Sequence, residues 1–316
     1  MRCLMTALLA GAIVLFASQT KAEDRGMLIA VFTKNTTNPA YSAFRLAADQ
    51  VGQATGARIL HFVPRQPDNI GEQQAMVEQV LKDRPDAVVF IPVDDVAMIE
   101  SVKKLNEAKI PIVLAANPLP GDFVTFVGAD DFKIGYAQAK YLFDKLGGKG
   151  RIVILEGTAG APTNRERLRG YKQALSEASG IELLASGIGN YQQTDGKQLM
   201  ATFLQTYPEI DAVLSANDSM ALGALEALKE ANRTTIVIGI NGILPAVKKI
   251  ESGEMLATVD FNMFKIGCIA TLAAVRHLKR EPVPDRLMLP AEIIDKSNYK
   301  AWLIPVEQRP CPTWPE

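Results

Sequence analysis

The sequence predicts an α/β protein made of two similar halves, each a parallel sheet with helices on both faces. Three observations carry this. Short continuous apolar runs, such as Met27–Thr33 and Ala87–Ile91, alternate with amphipathic stretches of helical period, the pattern of βαβ units. The chain, at 316 residues, is longer than one hydrophobic core normally organises. The segment Ser215–Leu225 follows the apolar run Asp211–Leu214 and opens a helix. Ligands bind at such carboxyl ends of strands in open α/β sheets.

Taken in order, the chain begins with an export signal. Arg2 gives a positive start, Leu4–Ala17 is an apolar stretch and Thr20-Lys21-Ala22 offers a small residue for cleavage after Ala22. Cys3 lies before the apolar stretch and not after it, so it is not read as a lipid-attachment site. Cleavage removes Arg2 and Lys21 and moves the formal charge from −1 to −3. Nothing in that balance points to nucleic acid or an anionic membrane as a partner.

In the first half, strands are predicted at Met27–Thr33, Ile59–Val63, Ala87–Ile91, Ile110–Ala115 and Phe123–Val127. Pro39 suits the first turn of a helix whose apolar stripe is Ala40, Ala43, Phe44, Ala47 and Val51 and which Gly56 ends. Helices over Gln73–Leu81 and Val96–Leu105 separate the later strands. In the second half a helix from Phe132 to Leu146 stops at Gly147-Gly148. Strands follow at Arg151–Leu155, Leu183–Gly187, Ala212–Leu214, Ile236–Ile240 and Ala257–Val259, with helices between them. Asp218 is placed to cap the helix beginning at Ser219. A last helix, Lys265–Leu278, is stopped by Pro282 and Pro284, and extended segments near Ala129, Asp260 and Pro290 read as crossings between halves.

The residues just beyond the strands share a character. They are Lys34 and Asn38 with Tyr41 one turn later, then Ala116-Asn117, Gly157–Gly160 leading to Arg165, Tyr191, Asn217, Asn241 and Asp260-Phe261. Amides, cations and aromatic faces at one topological position suit a polar small molecule held by directional hydrogen bonds. Catalytic signatures are missing. No G-x-G-x-x-G follows the first strand, no G-x-S-x-G elbow or metal-ligand spacing occurs, and His61 and His277 read as structural or surface residues. The chain is therefore read as a binder and not an enzyme, with no cofactor.

With Ser215–Leu225, Gly157–Gly160 plus Arg165-Glu166-Arg167, and Thr37-Asn38-Pro39 in view, the chain resembles the type I periplasmic solute-binding proteins of the ribose-binding class. The resemblance runs from Ile29 to about Ile294. It implies two doubly wound parallel-sheet lobes joined by three hinge crossings, closing around a ligand for an ABC importer. It divides the chain into a signal peptide over 1–22, an amino-terminal lobe over 26–129 plus 263–290, a carboxyl-terminal lobe over 130–262 plus 291–308, and a tail over 309–316. The implied setting is the periplasm, the implied partners a sugar-like molecule and a membrane permease, and the implied state a monomer.

The resemblance places the ligand positions on Lys34, Asn38, Tyr41, Asn117, Arg165, Tyr191, Asn217, Asn241 and Phe261. The sequence departs from the ribose pattern at Ile91, Ala116-Asn117, Asn241 and Phe261, where two carboxylates and two amides are replaced. Lys34 and Arg165 with few carboxylates favour a sugar acid, while Ile91 and Phe261 would suit a deoxy-sugar, polyol or nucleoside. Lys34 could instead face solvent or pair with Asp260 or Asp95. A soluble sensor presenting its ligand to a chemoreceptor or kinase is the alternative role. A helix-turn-helix repressor is excluded by the signal sequence. Cys268 and Cys311 remain open between a disulfide and two free thiols.

Overall fold

The computed structural model of the protein describes residues 26–314. The export signal predicted over residues 1–22 lies outside them. Two six-stranded sheets form the frame. The first holds β1 (Leu28–Phe32), β2 (Arg58–Phe62), β3 (Ala87–Phe90), β4 (Ile112–Ala115) and β5 (Thr125–Gly128). Their order is β2-β1-β3-β4-β5, and Arg286–Met288, which becomes β11 in chain order, closes the far edge. All neighbours in this sheet are parallel. Its interior strands are buried on both faces, which is why they read as unbroken apolar runs.

The second sheet contains β6 (Gly150–Glu156), β7 (Ile181–Ile188), β8 (Ala212–Ser215), β9 (Ile236–Ile240), β10 (Ala257–Asp260) and β12 (Glu292–Asp295). The order is β7-β6-β8-β9-β10-β12, parallel except for the last pair. Between strands run α1 (Pro39–Thr55), α2 (Ile70–Asp83), α3 (Ile99–Glu107), α4 (Asp131–Lys145), α5 (Pro162–Ser176), α6 (Gln193–Thr206), α7 (Asp218–Glu230), α8 (Leu244–Ser252) and α9 (Met263–Leu278). Both sheets are thus doubly wound. The chain passes between them three times, after β5, after β10 and between β11 and β12.

Two local expectations are corrected. Helix α3 starts at Ile99 and not at Val96, because the Asp94 carboxylate accepts the N–H groups of Val96 and Ala97 and makes a turn there. Asp218 is not the cap of α7. Asn217 is, with its Oδ1 accepting the Met220 N–H at 2.9 Å, while Asp218 is fully buried in the first turn. The Asp218 carboxylate accepts from Thr258 Oγ1 at 2.7 Å and from the Ile243 N–H at 3.0 Å, tying α7 to β10 and the loop after β9.

Cys268, buried in α9, is bridged to Cys311, their Cα atoms 5.6 Å apart. The bridge carries the tail, which follows β12 in the second half, back onto a helix packed against α1 in the first.

Candidate functional site

The carboxyl ends of the two sheets face each other across a cavity lined by side chains from both halves. Small molecules bind at such strand ends in open α/β sheets and between packed domains. From the first half, Asn38 caps α1 through its Oδ1 on the Ala40 N–H, and Tyr41 sits one turn along on the cavity wall. Burial pushes the Tyr41 phenol well above its ordinary range, reinforced by the Asp68 charge. Asn117 follows β4 after Ala116, whose φ of 56° bends the strand end so that Asn117 Nδ2 donates to Pro92 O at 3.0 Å.

From the second half come Tyr191, Asn217, Asn241 and Phe261. Tyr191 Oη and Thr163 Oγ1 share a hydrogen bond of 3.0 Å, and burial raises the phenol to about 12. The tyrosine ring lies over Gly157, where an added Cβ would stand 2.0 Å from Cζ, so only glycine admits the ring. Asn217 Nδ2 donates to the Tyr191 carbonyl at 3.0 Å, so the helix cap also fixes the aromatic. Asn241 has φ of 130°, and its Oδ1 is buried without a hydrogen-bond partner among the described residues. An unpaired buried acceptor on the wall of a cavity is an atom that a ligand donor can satisfy.

Seven of the nine residues singled out in the sequence therefore surround one cavity, and two do not. Arg165 does not reach it. Its guanidinium is half exposed and pairs with Asp95 of the other half, one nitrogen at 3.1 Å from Oδ1 and the other on Oδ2, while also donating to Gly160 O. Lys34 is 1% exposed but stands behind the wall, its Nζ 3.7 Å from Asp68 Oδ2 and 5.9 Å from the centre of the Tyr191 ring. It faces neither solvent nor Asp260 nor Asp95. Ile91 belongs to the core beneath the cavity and lends it no apolar surface.

Sequence reasoning also missed wall residues. Arg167, 3% exposed, donates through Nε to Asp131 Oδ1 at 2.8 Å and through NH1 to Ala216 O at 2.7 Å, and it stacks on Phe261 at 5.2 Å. Burial disfavours that charge, but Asp131, with Tyr191 and Tyr171, more than reverses the effect and keeps Arg167 a cation. Burial in turn lifts Asp131 against the pull of Arg167. Asp68 and Asn35 complete the wall. Two carboxylates do stand on the wall, Asp68 from the loop after β2 and Asp131 from the first turn of α4, while Ala116-Asn117 and Asn241 leave the positions of the ribose pattern without them. The signal for Arg167 was there to read: Thr163, Arg167, Gly170 and Ala174 fall at helical spacing, one buried stripe of α5 against α4.

His61, bonded to Asp49, is not among the residues lining the cavity. Among the described residues no group of His, Cys, Asp and Glu could hold a metal, and no helix is long and apolar enough to cross a membrane.

A cavity lined by amides, acids and aromatic rings between two doubly wound lobes with three connections defines a two-lobed binding protein. Residues 29–282 match the family model of the periplasmic binding protein domain, and the chain belongs to that family. A ribose import binding protein of Bacillus subtilis (strain 168) is 29% identical over 266 residues, which cover 84% of this chain and 86% of that protein. A xylitol-binding protein of Mycolicibacterium smegmatis is 33% identical over 195 residues, 60% of this chain and 56% of the relative. Among solved structures, a periplasmic solute-binding protein of Actinobacillus succinogenes 130z with bound D-allose superposes with a TM-score of 0.82 at 27% identity, covering 87% of this chain and 99% of that one. A Bacillus halodurans solute-binding protein with bound myo-inositol gives 0.82 at 26% identity, covering 89% and 99%.

Proposed function

We propose that this protein captures a neutral polyhydroxylated small molecule, a monosaccharide or polyol, in the periplasm and hands it in the closed form to an ABC importer. The observation that carries the reading is the charge balance of the cavity. The cation on its wall and the one just behind it each have a carboxylate already: Arg167 has Asp131 and Lys34 has Asp68. An entering anion would meet two carboxylates and no free cation among these groups, and a buried charge without a partner is costly. A hydroxyl, by contrast, can donate to Asp68, Asp131 or Asn241 and accept from Arg167 or an amide. The sugar acid favoured by the sequence alone loses its basis, since that preference rested on unpaired cations. The relatives named above, with ribose, xylitol, D-allose and myo-inositol in their names or structures, support the same class.

The chain binds its ligand unchanged and acts as a monomer towards a membrane permease. A thermal-shift screen of pentoses, hexoses, polyols, sugar acids and nucleosides tests the reading. A ligand at a hundredfold excess over its Kd stabilises the folded chain by about 2.7 kcal/mol. Neutral sugars or polyols are expected to give shifts of that order. Stabilisation by sugar acids or nucleosides alone would overturn the assignment.

A further inference from the structure

Asp68 reaches the cavity from the loop between β2 and α2, away from the strand ends that supply most of the wall. Its backbone is left-handed, with φ of 56°, a conformation costly for a side-chain-bearing residue and tolerated best by Asn and Asp. Several contacts hold it there. Its N–H donates to Lys34 O at 3.1 Å, Asn35 Nδ2 donates to its Oδ1 at 2.8 Å, and Lys34 Nζ stands 3.7 Å from Oδ2. Thr158 Oγ1 of the other lobe lies 3.5 Å from the same Oδ2. Backbone strain and a buried lysine are thus committed to one carboxylate at the cavity wall.

We infer that Asp68 is a specificity-determining residue: it accepts hydroxyl protons of a neutral ligand, and by neutralising Lys34 it makes the cavity reject carboxylates. This rests on the reading of a neutral polyhydroxylated ligand. A carboxylate only accepts, so it pairs with Asn35, Lys34 and ligand hydroxyls together. An amide in its place cannot. If its oxygen takes the Asn35 proton, its NH₂ group is turned towards the Lys34 ammonium, donor against donor. Lys34 then becomes an uncompensated buried cation beside the cavity, and a ligand carboxylate is the group that would satisfy it.

The test compares wild type with Asp68→Asn by calorimetry against D-allose and xylitol and against the matching acids, allonate and xylonate. Wild type is expected to prefer the neutral partner. Asp68→Asn is expected to lose about 10- to 100-fold in neutral-ligand affinity, the scale of a lost hydrogen bond to a charged group, and to bind the acid more tightly than wild type does. Lys34→Met together with Asp68→Asn removes both charges and is expected to restore the neutral preference. Should the single variant not fold, this double variant carries the test: a preference for the acid in it overturns the proposal. An Asp68→Asn chain that keeps the wild-type neutral-to-acid ratio overturns it as well. A wild-type chain that prefers the acid refutes the proposed function instead, so the two failures are told apart.

Discussion

Arg165 joins the lobes across the mouth of the cleft and not through the ligand, so its removal should weaken binding by a small and calculable amount. In Arg165→Ala the lost contact is the two-pronged pair with Asp95, formed between residues of different lobes and therefore only when they are closed. The arginine side chain is 50% exposed and the aspartate 17%, so solvent screens the pair and it is worth at most about 1 kcal/mol. That energy is withdrawn from the closed state alone. If ligand binds the closed form, the apparent Kd rises by the change in closed population, about 5-fold at most. Thr37 Oγ1 on Gln192 Oε1, a second contact between the lobes at 2.9 Å, remains in the variant. Calorimetry at low salt and at about 0.5 M salt separates the terms, since screening should bring wild type down towards the variant. Abolished binding would mean that Arg165 touches the ligand and that the cavity is drawn wrongly. An unchanged, salt-insensitive Kd would mean that the pair plays no part in closure.

Other consequences follow from buried groups away from that mouth. Burial lifts the Asp218 carboxyl to about 7, against the lowering effect of its bonds from Thr258 and the Ile243 N–H. The unfolded carboxyl releases its proton near pH 4 and the folded one near 7, so stability is full below about 4 and falls as pH rises to about 7, by on the order of 3–4 kcal/mol. Asp218→Asn, which imitates the protonated acid, should flatten that slope in denaturant titrations, and a variant with the wild-type slope would refute the assignment. Cys311→Ser opens a loop spanning 43 residues and should cost up to about 4 kcal/mol of stability. Wild type unfolded in the presence of reductant should match the variant, and a reductant-insensitive midpoint would contradict the bridge. A ligand lacking the hydroxyl that donates to Asn241 Oδ1 leaves that acceptor buried and unpaired. Such an analogue should bind about 5- to 150-fold more weakly, and no monodeoxy analogue in a full series doing so would exclude Asn241 as a contact.

The fold was legible because strands buried on both faces leave apolar runs that nothing else explains, and Pro39, Gly56 and Gly147-Gly148 mark helix ends. β11 and β12 were visible only as crossings, being three and four residues long at sheet edges with half their side chains in water. In the site, residues that directly follow a strand could be named, because topology alone carries them to the cleft. Asp68 could not: its position depends on a left-handed turn and a lysine 34 residues earlier. The resemblance puts a ligand position on Arg165, but the cavity wall takes Arg167, two residues and about 200° further round the helix. The structure decides this through Gly135, where a Cβ would lie 2.4 Å from Arg167 O. α5 therefore packs so closely on α4 that only the Arg167 face can look towards Asp131.

These contacts share one logic. Most polar groups around the cavity are bonded to the protein before any ligand enters. Asn38 and Asn217 cap helices, Asn217 also holds the Tyr191 carbonyl, Tyr191 holds Thr163, and Arg167 holds Asp131 and Ala216. Side chains fixed in this way lose little freedom on binding, so hydrogen bonds to a ligand are offset by less ordering cost than loose loops would impose. The same wiring narrows what can bind. With both cations matched and an unpaired oxygen on Asn241, the groups left over are amide and hydroxyl donors and uncharged or already paired acceptors, and the molecule that satisfies both kinds without bringing charge is one rich in hydroxyls.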